Sequence, residues 1–340
     1  MSSSEQQEHL GELIDGYRST ALLYVAAKLG IADLLCSEPR NANQLAAGLC
    51  VNADALERFL QALAAIGIVR KNDDGNFALT SLGLALRSGA SGSAKAHAIL
   101  AGEEFFSTWG ALLDTVQTGE AQFQRIFGLS AWEHRQANPE LNDSFNSWLH
   151  EQTVKVADSV LRAYDFKSAR EIADVGGGHG GLVSSLLLAH PHLRGVLIDL
   201  PHVAAGARST LERFGLTDRC RIHGADFFQD VPAGSDIFLL KSVLHDWDDD
   251  HCQQILSRCR QAMQPSSRLL IVERIIGNGG RQDRATAMLD LHMFVMFGGR
   301  ERSKGQYSKL AAAADLEVKR LLPTDSGFQI IEASVINARA

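Results

Sequence analysis

Cysteine is scarce and scattered in this 340-residue chain: five residues, Cys36, Cys50, Cys220, Cys252 and Cys259, with no Cys-x-x-Cys pair. An odd, dispersed set argues against a disulfide framework and against a thiolate zinc or redox site, and reads as the reduced thiols of a cytosolic protein. Basic charge is in short supply too, with 33 Lys and Arg against 40 Asp and Glu and a formal net charge of -7. No broad positive field is present to hold nucleic acid or anionic lipid. Long apolar runs are also missing. None approaches the ~20 residues of a membrane span, and Met1 to Leu10 is polar and acidic where an export signal is basic and then apolar. What remains, 45% hydrophobic and 21% charged residues, is the composition of a soluble globular protein, and the length favours two domains of roughly 100 to 200 residues.

Apolar spacing from Tyr17 to Leu35 predicts one helix with Ala21, Leu22, Val25, Leu29 and Leu34 on a face and Gly30 near its end. Two shorter helices are expected over Asn41–Leu49 and Asp54–Ile66, the second capped by Asn52, and then a hairpin turning at Asn72–Asn76. Helix, helix and hairpin describe a winged helix, but Asp54, Glu57 and Arg58 on its second helix make no basic stripe, so a dimerising or lid role is favoured over DNA reading. Gly102 to Asp165 is helical by pattern and rich in aromatics, including Phe105, Trp109, Phe123, Trp132 and Trp148; most are expected in the core. After Phe166 short apolar runs alternate with helical segments, at Glu171–Val175, Gly195–Ile198, Arg221–His223, Ile237–Leu240 and Arg268–Val272, with a late pair at Val318–Leu322 and Gln329–Ala333. That alternation indicates an α/β, doubly wound and mainly parallel sheet.

The first of these strands runs into Asp174-Val175-Gly176-Gly177-Gly178-His179-Gly180-Gly181, where glycines let a ligand approach the backbone at a helix N-terminus. Gly176, Gly178 and Gly181 satisfy the G-x-G-x-x-G pattern of nicotinamide enzymes, and Asp199 ends the next strand about twenty residues on. Asp174 just before the glycines and the element Asp226-Phe227-Phe228 after the third strand favour S-adenosylmethionine instead. An adenosyl group without a pyrophosphate needs acceptors such as Asp199 and Asp226 and an apolar face such as Phe227.

The fourth strand ends in Lys241-Ser242-Val243-Leu244-His245-Asp246-Trp247, at the carboxyl edge where doubly wound sheets hold ligands. Asp248 to His251 opens a helical pattern and reads as acidic caps rather than a metal site. Two carboxylates are candidate partners for His245: Glu273, which ends the fifth strand, and Glu301 in Gly298-Gly299-Arg300-Glu301-Arg302.

Together His245-Asp246-Trp247, Val272-Glu273-Arg274, Gly298 to Ser303 and the glycine loop resemble the plant-type small-molecule O-methyltransferases and their bacterial natural-product relatives, over nearly the whole chain. The resemblance implies a Rossmann-like S-adenosylmethionine-dependent methyltransferase domain at 101–340, preceded by a winged-helix-like dimerisation domain at 1–100. It implies His245 as general base, with Glu273 and Glu301 flanking it. S-adenosylmethionine contacts would come from Gly176, Gly178, Asp199, Leu200, Asp226, Phe227 and Lys241, with no metal. Phe105, Trp109, Asp246, His292 and Met296 are candidate pocket residues, and Asp290 and Met293 lie on the same predicted helix as the last two. Two departures stand out: His179 replaces the usual Thr or Ser, and the segment into Gly298-Gly299 is shorter than in the plant enzymes.

A phenol titrates near ~10, so at neutral pH its hydroxyl needs a base at the oxygen, and a carboxylate-oriented histidine suits that need. The expected reaction is methylation of a hydroxyl on a planar aromatic metabolite, a phenolic polyketide or a phenazine, by a cytoplasmic homodimer. A ligand-binding winged-helix regulator and a nicotinamide oxidoreductase would leave His245, Glu273 and Glu301 without a role; methylation of a nitrogen within the same family would not need the base.

Overall fold

A computed structural model describes residues 3–90, 92–277 and 284–336. Two compact units divide the chain, one built from residues up to Ser107 together with Asp143–Trp148, the other from Thr108–Asn142 and from Leu149 onward.

In the first unit a long helix, Ser3–Lys28, precedes a short one, Ile31–Leu34. The single helix expected over Tyr17–Leu35 is thus longer at its start and broken at its end, because Gly30 takes a left-handed φ of 64°. Ala26 and Ala27 are buried, Leu22, Val25 and Leu29 are half-buried, and Ala21 is exposed. Helices Ala42–Leu49 and Ala53–Ala65 follow as expected. Asn41 and Gln44 form a reciprocal capping box on the former, and Asn52 accepts the Ala55 N–H on the latter. Strands β1 (Val69–Lys71) and β2 (Phe77–Leu79) close an antiparallel hairpin. Leu45, Leu56, Leu60, Leu63 and Phe77 form the core with Ile31 and Leu35. Of the aromatics expected in the core, Phe105, Phe123 and Phe145 are buried, Trp109, Trp132 and Trp148 are half-buried, and Phe106 is exposed.

The second unit holds a seven-stranded sheet: β3 (Glu171–Val175), β4 (Arg194–Asp199), β5 (Cys220–Gly224), β6 (Ile237–Lys241), β7 (Arg268–Glu273), β8 (Leu316–Pro323) and β9 (Gln329–Val335). Its order is β5-β4-β3-β6-β7-β9-β8. The first five are parallel, while β9 runs antiparallel to both β7 and β8. Alternate residues of each central strand enter two separate cores. Ala173, Val175, Phe238 and Leu240 face one, and Ile172, Ile237 and Leu239 face the other. Both faces are covered, which is why these strands read as continuous apolar runs rather than alternating ones. Because β3 has β4 on one side and β6 on the other, the strand order reverses between β3 and β6. The loops leaving those two carboxyl ends therefore flank the crevice where such sheets bind ligands.

Candidate functional site

The loop after β3 is held by backbone bonds to β4: Gly176 and Gly177 N–H groups donate to the Ile198 carbonyl at 2.8 and 3.2 Å. Asp199, at the end of β4, accepts from the Gly178 N–H through Oδ2 and from the Leu200 N–H through Oδ1, both at 2.8 Å. Burial raises the Asp199 carboxyl to about 6 against the pull of those donors. A Cβ placed on Gly178 would meet nothing within 4 Å, so space is open above the loop, whereas the one on Gly176 would press on Val243, with the Phe227 ring in ordinary contact beside it. Asp226 engages its own turn, with Oδ1 accepting from the Phe228 N–H at 2.9 Å. Lys241, half-buried at the end of β6, donates to Thr153 Oγ1 at 3.1 Å, and desolvation lowers its pKa despite nearby carboxylates. An open stretch of glycine backbone, with the Asp199 carboxylate at one wall and Phe227 at another, fits an adenosyl group.

After Lys241 the chain passes through Ser242 at a φ of 53° into a three-residue turn, Leu244–Asp246, that carries His245. His245 is buried, with 7% of its surface exposed. Its Nδ1 lies 2.8 Å from Glu301 Oε1 and 3.6 Å from Glu273 Oε2, and its Nε2 lies 3.6 Å from Asp246 Oδ1. Glu273 Oε1 accepts the Val243 and Leu244 N–H groups at 3.0 and 3.1 Å, so one carboxylate both supports the turn and faces the ring. Glu301 is placed by its backbone, whose N–H donates to Asp290 Oδ1 at 2.8 Å. The Oε2 atoms of Glu273 and Glu301 are buried and accept no hydrogen bond among the described residues.

These contacts govern the cluster's affinity for protons. Burial by itself disfavours the imidazolium, but Glu273, Asp246 and Glu301 outweigh it and raise His245 to about 10. Burial, opposed by the His245 charge, raises Glu273 to about 7 and Asp246 to about 6. With Nδ1–H assigned to the Glu301 hydrogen bond, Nε2 is the ring nitrogen left on the Asp246 side. One donor atom from each of His245, Glu273 and Glu301 lies within 4.8 Å of the others, a spacing that metal ligands also have. Here Nδ1 is engaged by Glu301, and Glu273 by two backbone donors.

Of the candidate pocket residues, Trp109 donates its indole N–H to His292 Nδ1 at 2.9 Å, and the two rings stack 6.1 Å apart. Asp246 borders His245, Met296 is buried like Met293 one turn before it, and Phe105 belongs to the first unit, edge-on to Trp148. Asp290 braces Glu301 rather than standing free. Asp248 caps its helix by accepting the His251 N–H, as expected. Two arginines were not singled out in the sequence. Arg135, 1% exposed, lies over Trp132 and Phe297 and holds the Asp246 carboxyl down by its charge. Arg302, fully buried, bonds the His245 turn. Only the surroundings of Arg135 and Arg302 distinguish them from surface cations, and those surroundings come from distant segments.

A family model for the O-methyltransferase domain matches residues 109–317, and one for the O-methyltransferase dimerisation domain matches residues 11–88. The phenazine O-methyltransferase PhzM of Lysobacter antibioticus is 42% identical over 325 residues, covering 96% of this chain and 95% of its own. The crystal structure of LaPhzM superposes with a TM-score of 0.93 at 41% identity, covering 97% of this chain and 99% of that one. NcsB1, an O-methyltransferase from neocarzinostatin biosynthesis solved with S-adenosyl-L-homocysteine and 1,4-dihydroxy-2-naphthoic acid, superposes with a TM-score of 0.83 at 31% identity, covering 93% and 96%. With both of its domain models matched and such likeness along its length, the chain belongs to the O-methyltransferase family.

Proposed function

We propose that this protein methylates a phenolic hydroxyl of a planar aromatic metabolite, of phenazine or phenolic polyketide type, using S-adenosylmethionine and His245 as the base. When bound, that cofactor supplies an electrophilic methyl carbon on a sulfonium. Asp199, the Gly176–Gly178 backbone, Leu200, Asp226, Phe227 and Lys241 hold it, and the His245 turn brings the acceptor oxygen to the methyl carbon. As the oxygen–carbon bond forms and the carbon–sulfur bond breaks, the hydroxyl proton passes to His245 Nε2. The observation that carries this reading is the His245–Glu301 contact of 2.8 Å, with Glu273 on the same ring nitrogen. It fixes the ring, and the carboxylates hold the proton that arrives as imidazolium. A conjugate acid raised to about 10 matches the acidity of a phenol, so the transfer is close to balanced. Trp109, His292, Asp246 and Met296 line the acceptor side in this reading; the winged-helix-like module is taken as 1–100 and the catalytic part, which includes the candidate Phe105, as 101–340. The protein works as a homodimer through its dimerisation domain, in the cytoplasm.

The test compares His245→Ala with the parent on a high-pKa and a low-pKa phenol at one pH, with donor binding and folding followed in parallel. Turnover of the high-pKa acceptor should fall by about 10²- to 10⁴-fold, and that of the already ionised acceptor by much less. Equal losses on both acceptors would remove His245 as the base.

A further inference from the structure

We propose that Arg302 is a positioning residue for His245, acting through the backbone of the turn that carries the imidazole. This inference rests on the reading of His245 as the base. The turn is short and poorly held by its own bonds: Asp246 and Trp247 N–H groups reach the Val243 and Leu244 carbonyls only at 3.2 and 3.3 Å. It also follows Ser242 in the left-handed region at φ 53°, a conformation that persists where surrounding contacts over-determine it. Glu273 holds the N–H groups at the start of the turn, and Arg302 holds its carbonyls. Arg302 Nη1 donates to the Leu244 carbonyl at 2.8 Å and its Nη2 to the Trp247 carbonyl at 2.7 Å, so one planar guanidinium grips the chain on both sides of His245 and Asp246. Nε and Nη2 also donate to Asp249 Oδ1 at 2.9 and 2.8 Å, which sets the plane of the fork.

The same segment grips from its backbone. The Arg300 N–H donates to the His245 carbonyl at 2.8 Å, and the Arg302 carbonyl accepts from the Ile276 N–H at 3.1 Å, three residues beyond Glu273. Residues 300–302 thus lie between the turn and the end of β7, with Glu301 as the middle residue. The side chain that orients the imidazole and the one that fixes its backbone are neighbours in sequence. A lysine at 302 keeps the charge but has a single donor head and no fork, so it cannot hold both carbonyls and the carboxylate at once.

Arg302→Lys should lower kcat by about 10- to 100-fold, the range that small misplacement of a reacting group produces, while the acceptor KM and S-adenosylhomocysteine affinity stay within about threefold. Because the loss runs through His245, it should vanish in the His245→Ala background, where adding Arg302→Lys costs less than about twofold. Asp249→Ala, at an exposed side chain whose removal leaves no hole, should give a smaller loss that vanishes in the same background, and it serves as the test if Arg302→Lys does not fold. Losses that multiply with His245→Ala, or parental kcat in both Arg302→Lys and Asp249→Ala, would overturn the proposal. Undiminished turnover of a high-pKa phenol by His245→Ala alone would instead overturn the base assignment on which it rests.

Discussion

Glu301 Oε1 and His245 Nδ1 meet at 2.8 Å although 56 residues separate them in the chain. The contact has two effects that can be measured apart: it orients the ring, and its negative charge stabilises the imidazolium. Glu301→Gln keeps an acceptor for Nδ1–H and removes the charge. Since the carboxylates raise His245 to about 10, the proton must leave before the ring can act as base, and turnover should climb as pH rises. In Glu301→Gln the climb should move to lower pH, with a maximal rate reduced by about tenfold. A pH profile of kcat/KM checks it, and an unmoved midpoint would take Glu301 out of the proton balance.

Gly299 is required sterically. A Cβ there would lie 2.1 Å from the His245 carbonyl oxygen and 2.7 Å from the Asp246 carbonyl carbon, both backbone atoms with no flexible end to give way. Gly299→Ala should push residues 300–302 off the turn, lowering turnover about 100-fold or more and stability by about 1–3 kcal/mol. Rates and melting curves of the one variant measure both, and near-parental turnover would contradict the argument.

Asp174 is buried beneath the glycine loop with Oδ2 lacking a hydrogen-bond partner among the described residues. Burial raises its carboxyl from 3.8 to about 7, against the help of the Val183 N–H and the Lys241 charge. The folded chain therefore binds this proton more tightly than the unfolded chain does. The group's contribution to stability is present below the unfolded pKa and is lost as pH rises through about 7. Asp174→Asn should melt higher than the parent at pH 8, by up to a few kcal/mol of stability, and the gap should close toward pH 5. Calorimetry across that range is the measurement; a parent more stable than the variant at pH 8 would refute the sign.

Leu10, Leu13, Ile14 and Tyr17 line one side of the first helix, each more than half exposed. Such a stripe on a domain that matches a dimerisation model is expected to be covered by a second copy. Ile14→Glu combined with Leu13→Glu should shift the mass in light scattering from dimer to monomer at micromolar concentration. A dimer that persists places the contact elsewhere.

Much of this arrangement was legible because it depends on local chemistry. The glycine loop, the β3 to β7 strands and the Asn52 and Asp248 caps follow from periodicity and hydrogen-bonding side chains a few residues apart. His245, Glu273 and Glu301 stood out by position and by resemblance, and the fold brings all three together. Arg302 and Arg135 did not stand out, because a buried guanidinium is defined by carbonyls and rings that arrive from elsewhere in the chain. The stripe at Leu10 to Tyr17 was hidden for another reason: its apolar residues are diluted by a polar, acidic surround, and only the helix starting at Ser3 aligns them.

The place of β9 between β7 and β8 sets an order of events during synthesis. Glu273 ends β7, and the far edge of β7 is paired, among the described residues, by β9, from Gln329 at Glu273 to Ser334 at Arg268. On a ribosome, β3 to β7 emerge first and leave an apolar edge of Leu269, Leu270, Ile271 and Val272 open to other chains. Protection of that edge waits for the last strand of the sheet. A chain cut short before residue 329 would carry every residue proposed for catalysis and still have no secure seat for Glu273.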